Sequence, residues 1–564
     1  MPRYPIEIGC VDFRSMRERQ LRYVDKTAFI AEFLVSNRPT VSLITRPRRF
    51  GKTLTMSMLK EFFDIRRKGT RSFDGLAIKY NHTLCDEWMN KFPILSLSLK
   101  DVGTGDFSRA LEGMRFIISE LCDEHAYLAD SPQLTEQNKK DFQALTARQG
   151  DLAFLSSSLR LLCRLLVKHW GSAPILLIDD YDDPLTRARQ YGYQEPMAGF
   201  LRDFFSRALK DNTDLALAVL TGCLQTPGQR LFSDLNTVRC YGISDTKFAD
   251  KFGFTSAEVD ALLEQAGIPD KAPLLREWYG GYRFGARSEL YCPWNVLQYL
   301  AEYADNPSHT PQCYRMNTSE NFLHKQFFEE TNLPISEKLR ALAKGEPVIA
   351  TIEGGASCGE QSSPMHLWSL LHQTGYLTRC PDAWLAETGR TLRPGQAALV
   401  LPNRELHTWL ASSVDNFFTE TLQQTDQAFF EAFWSSGEEA VSCRLAQLCS
   451  RTEGYQEYYA HFHHTLVLRL FQAFQYDAAF SFERGPAESY LIVLHHNRKD
   501  AAVMAIRTGR EDVLENLTRL AIEQIRVYLE QYDVPCCKPG ARIFCWGVAF
   551  AQKECVARCR LVEC

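Results

Sequence analysis

The apolar positions fall into two kinds of run. Residues 40–45, TVSLIT, form a short and nearly continuous apolar stretch containing β-branched residues, which predicts a buried strand. Fourteen residues beyond its start, LTMSMLKEFFDIRR places Leu54, Met58, Leu59, Phe62 and Phe63 at helical spacing. PILSLS at 93–98 predicts another strand, and LAFLSSSLRLLCRLLVKH at 152–169 a strongly periodic helix. PILLIDDYDDP at 174–184 reads as a buried strand that ends in carboxylates. LALAVLT at 215–221 reads as a fourth buried strand. Strands alternating with helices predict a largely parallel α/β sheet.

The pattern then changes. From about 245 to 345 it is helical, and Thr255 with Glu258 makes a capping box at the start of one helix. Residues 345–402 predict short strands and one helix, MHLWSLLHQTGYL, with an exposed loop at 354–364. A mostly helical stretch follows to about 475. The last part mixes strands (SYLIVLHH, AAVMAIR, RIFCWGVAF) with the long helix EDVLENLTRLAIEQIRVYLEQY. No internal repeat interrupts this order.

Composition narrows the function classes. A chain of 564 residues suggests about three or four domains. With 45% hydrophobic and 24% charged residues it is an ordinary globular protein. The net charge of −5 gives no support for whole-protein nucleic-acid binding. No apolar run is long enough for a membrane helix, and MPRYPIEIGCVDF lacks a signal-peptide core, so a cytoplasmic location is expected. The 18 cysteines are scattered, and most sit inside apolar segments, as free buried thiols do. The denser tail (Cys536, Cys537, Cys545, Cys555, Cys559, Cys564) contains no C-x-x-C pair, so free thiols are favoured over zinc. In HFHH, His461 and His464 would share a helix face, but polar rings flanking a helix are expected rather than a metal site.

The chemistry concentrates in ITRPRRFGKTLTM at 44–56. Gly51-Lys52-Thr53 is the end of a phosphate-binding loop, G-x-x-x-x-G-K-[ST], but Arg46 stands where the first glycine belongs. Such a loop aims backbone N–H groups and a helix N-terminus at phosphates. Gly51 admits the ligand without a Cβ, Lys52 reaches the β- and γ-phosphates, and Thr53 holds Mg²⁺. Arg46-Pro47 takes the corner out of the strand, while Arg48 and Arg49, beside Phe50, add charge near the phosphates. Asp179, at the end of ILLIDD, is the carboxylate such a site needs for Mg²⁺. Asp180 takes the place of a group that polarises the attacking water, with a shorter reach than glutamate. Thr221 is either a γ-phosphate sensor or the last residue of its strand.

Several ordered motifs extend this picture. They are IGCVDFRSMRERQLRYVDKTAFI at 8–30, RPRRFGKT, LIDDYDDP, LTG at 220–222, SDLN at 233–236, WYGGYRF at 278–284 and CPWNVLQYL at 292–300. NTSEN at 317–321, LWSLLHQTGYLT at 367–378 and LPNREL at 401–406 complete the series. Together they resemble bacterial AAA-ATPase-like proteins that carry a C-terminal PD-(D/E)XK nuclease-type domain. In that family the loop has its arginine, and the acidic strand usually reads LIDEYD before lysine and proline; here Asp180 and Asp183 depart from it. The resemblance implies an α/β fold with a P-loop NTPase (AAA/STAND-like) parallel-sheet core at 1–240. It implies a helical lid at 241–320, a winged-helix-like segment at 321–425, and a restriction-endonuclease-like domain at 426–564.

Nuclease chemistry of that type needs two carboxylates on Mg²⁺ and a lysine near the water. In FERGPAESYLIVLHHNRKDAAVMAIRTGR at 482–510, Glu483 fits an upstream family glutamate and Gln524 is retained. Tyr490 and Ala505 stand where the metal carboxylates belong, and Arg507 where the lysine belongs. The expectation is an ATP- and Mg²⁺-binding switch protein, with hydrolysis left open and a nuclease-like domain used for binding or scaffolding. The alternative is an ATP-regulated nuclease with a displaced site built from Glu483, Glu488 and Asp500. A decayed, purely interacting protein is the third class. A protein partner, self-association or nucleic acid all stay open as partners; a membrane does not.

Overall fold

The computed structural model describes residues 5–35, 40–103, 105–225, 231–232, 235, 237–285, 287–314, 333–352, 364–423, 427–452, 461–482, 489–495, 499–531, 540–551 and 554–563. Of the motifs above, NTSEN, Glu483, Glu488, Cys536, Cys537 and Cys564 lie outside these residues, as do most of SDLN and of the 354–364 stretch. The chain divides into two compact units, residues 1–322 with 347–407, and residues 323–346 with 408–564.

The first unit is built on five parallel strands: β1 (Val41–Thr45), β2 (Ile94–Ser98), β3 (Ile175–Asp179), β4 (Leu217–Gly222) and β5 (Val238–Tyr241). Their order in the sheet is β2-β3-β4-β1-β5. β4 therefore separates the loop-bearing strand β1 from the carboxylate-bearing strand β3. Alternate side chains of these strands enter two different cores. Leu43, Leu176 and Ile178 join one, whereas Ile44, Ile175 and Leu177 join the other, so both faces are covered and the strands read as continuous apolar runs.

The helix after the loop spans Lys52–Phe63, starting at Gly51 in the left-handed region (φ +86°) and ending at Asp64. It buries Met56, Met58, Leu59, Phe62 and Phe63 against the face of the sheet that carries Ile44, Ile175 and Leu177. The helix expected at 152–169 is two, Leu152–Ser156 and Ser158–Trp170, broken at Ser157. The serine run SSS is the local cause, since hydroxyls compete for backbone groups inside a helix: Ser156 and Ser157 both bond back to carbonyls four residues earlier.

Beyond the sheet, the unit continues through helices Ser256–Ala266, Ala272–Tyr279 and Pro293–Asp305, with the hairpin β6 (Tyr282–Phe284) and β7 (Arg287–Leu290) between the last two. The Thr255–Glu258 capping box is present in both directions. A small antiparallel sheet pairs β10 (Gln396–Val400) with β8 (Val348–Thr351) and β9 (Thr378–Arg379), beside helix Pro364–Gln373.

The second unit holds a five-stranded mixed sheet, β11 (Asp477–Phe482), β12 (Ser489–Leu494), β13 (Ala501–Thr508), β14 (Arg542–Ala551) and β15 (Glu554–Glu563), in sequence order. β13 and β14 are parallel and joined by helix Leu514–Gln531; the other pairs are antiparallel. Among the described residues no helix is long and apolar enough to cross a membrane.

Candidate functional site

The ends of β1, β3 and β4 bring the predicted residues together. Arg46 leaves β1 with its backbone N–H on Gly222 O of β4, at 3.1 Å. Its side chain is wholly buried and turned away from the helix N-terminus. The guanidinium donates to Thr45 O (2.8 Å), Tyr241 O (2.9 Å) and Phe248 O (3.1 Å), and lies over the rings of Phe252 and Phe284. Burial pushes its pKa down to about 10, with Asp245 opposing. A fork of fixed N–H donors suits a cluster of carbonyls better than any other side chain does.

The next residues are fastened in the same way. Pro47 packs on Gly375 of the HQTG turn, which has φ +77° and where a Cβ would come within 2.9 Å of the proline ring. Arg48 is the most exposed of the group and approaches Asp183 at 3.7 Å. Arg49, at φ +70°, lies 3.9 Å over Trp294 and reaches Tyr314 O. Phe50 is buried against Tyr282 and Phe284. The corner that a glycine usually supplies is thus held by side-chain anchoring.

Gly51 has open space where a Cβ would stand, and Thr53 is exposed on the first helical turn. Lys52 is buried, with Nζ 3.1 Å from both Arg46 O and Pro47 O and 3.3 Å from Cys223 Sγ. Burial opposes its charge, but Cys223, Asp180, Asp179 and Asp182 outweigh that and raise its pKa.

Asp179 is buried at the tip of β3. Its Oδ1 accepts from the Thr221 hydroxyl and from Asp180 N, while Oδ2 is buried with no hydrogen-bond partner. An orphaned, buried carboxylate oxygen is costly unless something binds it. Asp180 adopts φ +50°, and burial together with Asp179 raises its pKa to about 6, against the pull of Lys52. Asp182, which sequence reasoning passed over, is 4% exposed and accepts from Cys223 N (3.0 Å) and Leu224 N (2.8 Å). The doubled DD in DDYDDP was the only trace of it in the sequence.

The downstream motifs meet around the loop. Asn403 donates to Gly280 O at 2.8 Å, and the fully buried Glu405 accepts from Asn295 Nδ2 and from Tyr314 N at 3.0 Å. Gly281, at φ +83°, lies so close to Pro402 O that a Cβ would overlap it. Gln373 accepts from Gln225 N at 2.8 Å. WYGGYRF, CPWN and LPNREL thereby form one buried support for Arg49 and Phe50, and LLHQTGYL packs on Pro47.

Beside Gly51 opens an apolar cleft enclosing about 590 Å³, part of it open to solvent, whose lining includes Tyr23, Val24, Leu54, Met58, Phe254 and Leu297. Lys26 edges it, held by Glu258 (2.7 Å) and Asp250 O (3.0 Å).

In the second unit, Tyr490 and Ala505 are directly paired on β12 and β13. Tyr490 stacks on Tyr528 of helix Leu514–Gln531 at 4.4 Å, within an apolar cluster that includes Ala505, Val503 and Ile525. Arg507 is bonded to Gln524, and Asp500 is paired with Arg542 at 2.7 Å. His461 begins helix Phe462–Ala473 in the left-handed region, and His463 stacks on Phe550. Among the described residues no group of three or more His, Cys, Asp or Glu is placed to hold a metal ion, the cysteines of β14 and β15 included.

Residues 7–232 match the model of an AAA-ATPase-like family described as predicted AAA-ATPase. Over 301 residues the chain is also 26% identical to an uncharacterized protein in the vnfD 5′ region of Azotobacter chroococcum mcd 1. That match covers 53% of this chain and spans about half the relative's length, 52%.

Proposed function

We propose that the chain is an ATP-binding switch protein whose phosphate site is the loop 46–53 with Asp179. The observation that carries this reading is the buried Asp179 Oδ2, which has no partner beside a lysine-bearing helix N-terminus. A carboxylate and the exposed Thr53 hydroxyl are hard oxygen donors of the kind Mg²⁺ takes. Lys52 would bind the phosphates as a point charge, and the open space at Gly51 leaves room for them. Arg48 is the loop arginine best placed to assist; Arg46, Pro47, Arg49 and Phe50 act by fixing the loop. The apolar lining of the cleft beside Gly51 suits the faces of a purine base. Asp180, with its elevated pKa, is the residue to hold or move a proton at an attacking water.

For the second unit we propose binding or scaffolding on a nuclease-like fold. Its support is the Tyr490–Tyr528 stack, which fills the place where two metal carboxylates would stand. Asp500, a member of the alternative displaced site, is engaged by Arg542.

The test is thermal unfolding of the full chain with and without ATP–Mg²⁺. At a ligand concentration 100-fold above Kd the gain is about 2.7 kcal/mol. Lys52→Ala abolishes the shift if the assignment is right; an unchanged shift sinks it.

A further inference from the structure

The backbone just beyond Thr221 is more fully gripped than a strand end requires. Tyr181 N donates to Thr221 O at 3.0 Å, and Arg46 N to Gly222 O at 3.1 Å. Cys223 N and Leu224 N both donate to the Asp182 carboxylate, and the Tyr181 hydroxyl donates to Leu224 O. Gly222 is packed so closely that a Cβ there would overlap Asp182 Oδ1 and the Tyr181 ring. Burial raises the pKa of Asp182, opposed by Leu224 N and Lys52. A buried carboxylate kept at a cost, and spent on two backbone amides, indicates a need for position.

That segment touches the two groups that matter. Thr221 donates to Asp179, and Cys223 Sγ lies 3.3 Å from Lys52 Nζ. Since a phosphate-loop lysine serves the β- and γ-phosphates, the exit of β4 faces the distal end of the phosphate chain. We propose that Asp182 is a positioning residue: it clamps residues 222–224 so that Thr221 and Cys223 hold Asp179 and Lys52 in register for the γ-phosphate. The inference rests on the nucleotide reading above. It assigns to Asp182 the distinction between nucleoside triphosphate and diphosphate. The backbone N–H groups at the helix N-terminus, which serve the inner phosphates, take no part in the clamp.

The experiment is calorimetric titration of the full chain with ATP–Mg²⁺ and, separately, ADP–Mg²⁺. Loss of a charge-assisted pair of hydrogen bonds should weaken ATP about tenfold more than ADP in Asp182→Ala. Asp182→Asn, which keeps one acceptor and the shape, should show a smaller change of the same sign and serves if the alanine variant does not fold. Gly222→Ala pushes on the same carboxylate from the other side. It should reproduce the altered ATP/ADP ratio, and the double variant should add little to it. An unchanged ratio, or an equal loss for both nucleotides, overturns the clamp. Wild-type protein that binds neither nucleotide overturns the nucleotide reading itself, and Lys52→Ala separates the two cases by losing both ligands together.

Discussion

Arg46→Gly restores the consensus form of the phosphate loop, G-x-x-x-x-G-K-T, and should nevertheless damage the protein. The substitution leaves Thr45 O, Tyr241 O and Phe248 O without their buried donor. At about 1 kcal/mol for each unsatisfied carbonyl, this costs about 3 kcal/mol. Lost contact with Phe252 and Phe284 and the added freedom of glycine contribute about 1 kcal/mol more. Removing a charge that burial disfavours offsets part of this, leaving about 2–4 kcal/mol. For a unit of roughly 380 residues, whose unfolding entropy is about 0.8 kcal/mol/K, Tm should fall by about 3–5 °C. Differential scanning fluorimetry without nucleotide measures it. Arg46→Met refills the space without the donors and should recover only the packing part. A glycine variant with wild-type or higher Tm, and equal or tighter ATP binding, would refute the anchoring argument.

Two further outcomes follow from the same geometry. Asp180 binds its proton more tightly folded than unfolded, so stability falls as pH rises from about 4 to about 6 and stays lower above that. Asp180→Asn removes the cost: its Tm should exceed wild type by about 1–3 °C at pH 7.5 and converge with it near pH 4, and a constant gap would exclude this cause. In the second unit, Tyr490→Ala deletes the stack on Tyr528 and should cost about 3–4 kcal/mol. The wild-type chain should leave supercoiled and single-stranded DNA intact with Mg²⁺ or Mn²⁺; cutting by wild type would refute the filled-site reading.

The strands of the first sheet were legible because each is a short apolar run buried on both faces. Val41–Thr45, Ile94–Ser98, Ile175–Asp179 and Leu217–Gly222 lie within a residue or two of the expected spans. The helix at 152–169 was read as unbroken because apolar periodicity continues through Ser157 while the backbone does not. The sequence put Arg46 at the corner of the phosphate loop but not its side chain, because a motif records backbone path and not side-chain direction; its guanidinium goes to carbonyls about 200 residues away. Asp182 was missed for a related reason, since its partners Cys223 and Leu224 carry no signal beyond their backbone N–H groups. WYGGYRF, CPWN and LPNREL were visible as strings, but their common purpose needed the third dimension.

The anchoring of the loop has a consequence for how the protein is made. Lys52 and Thr53 leave the ribosome well before the groups that fix the loop around them: Tyr241, Phe248, Trp294, Tyr314, Gly375 and, behind these, Glu405. A nascent chain cut at residue 232 already carries the lysine, the threonine and the acidic strand, but none of those supports. Closing contacts across such spans is slow compared with local structure. The loop therefore takes its final form only after the chain through Glu405 has emerged. Until then it is a basic turn without its anchors.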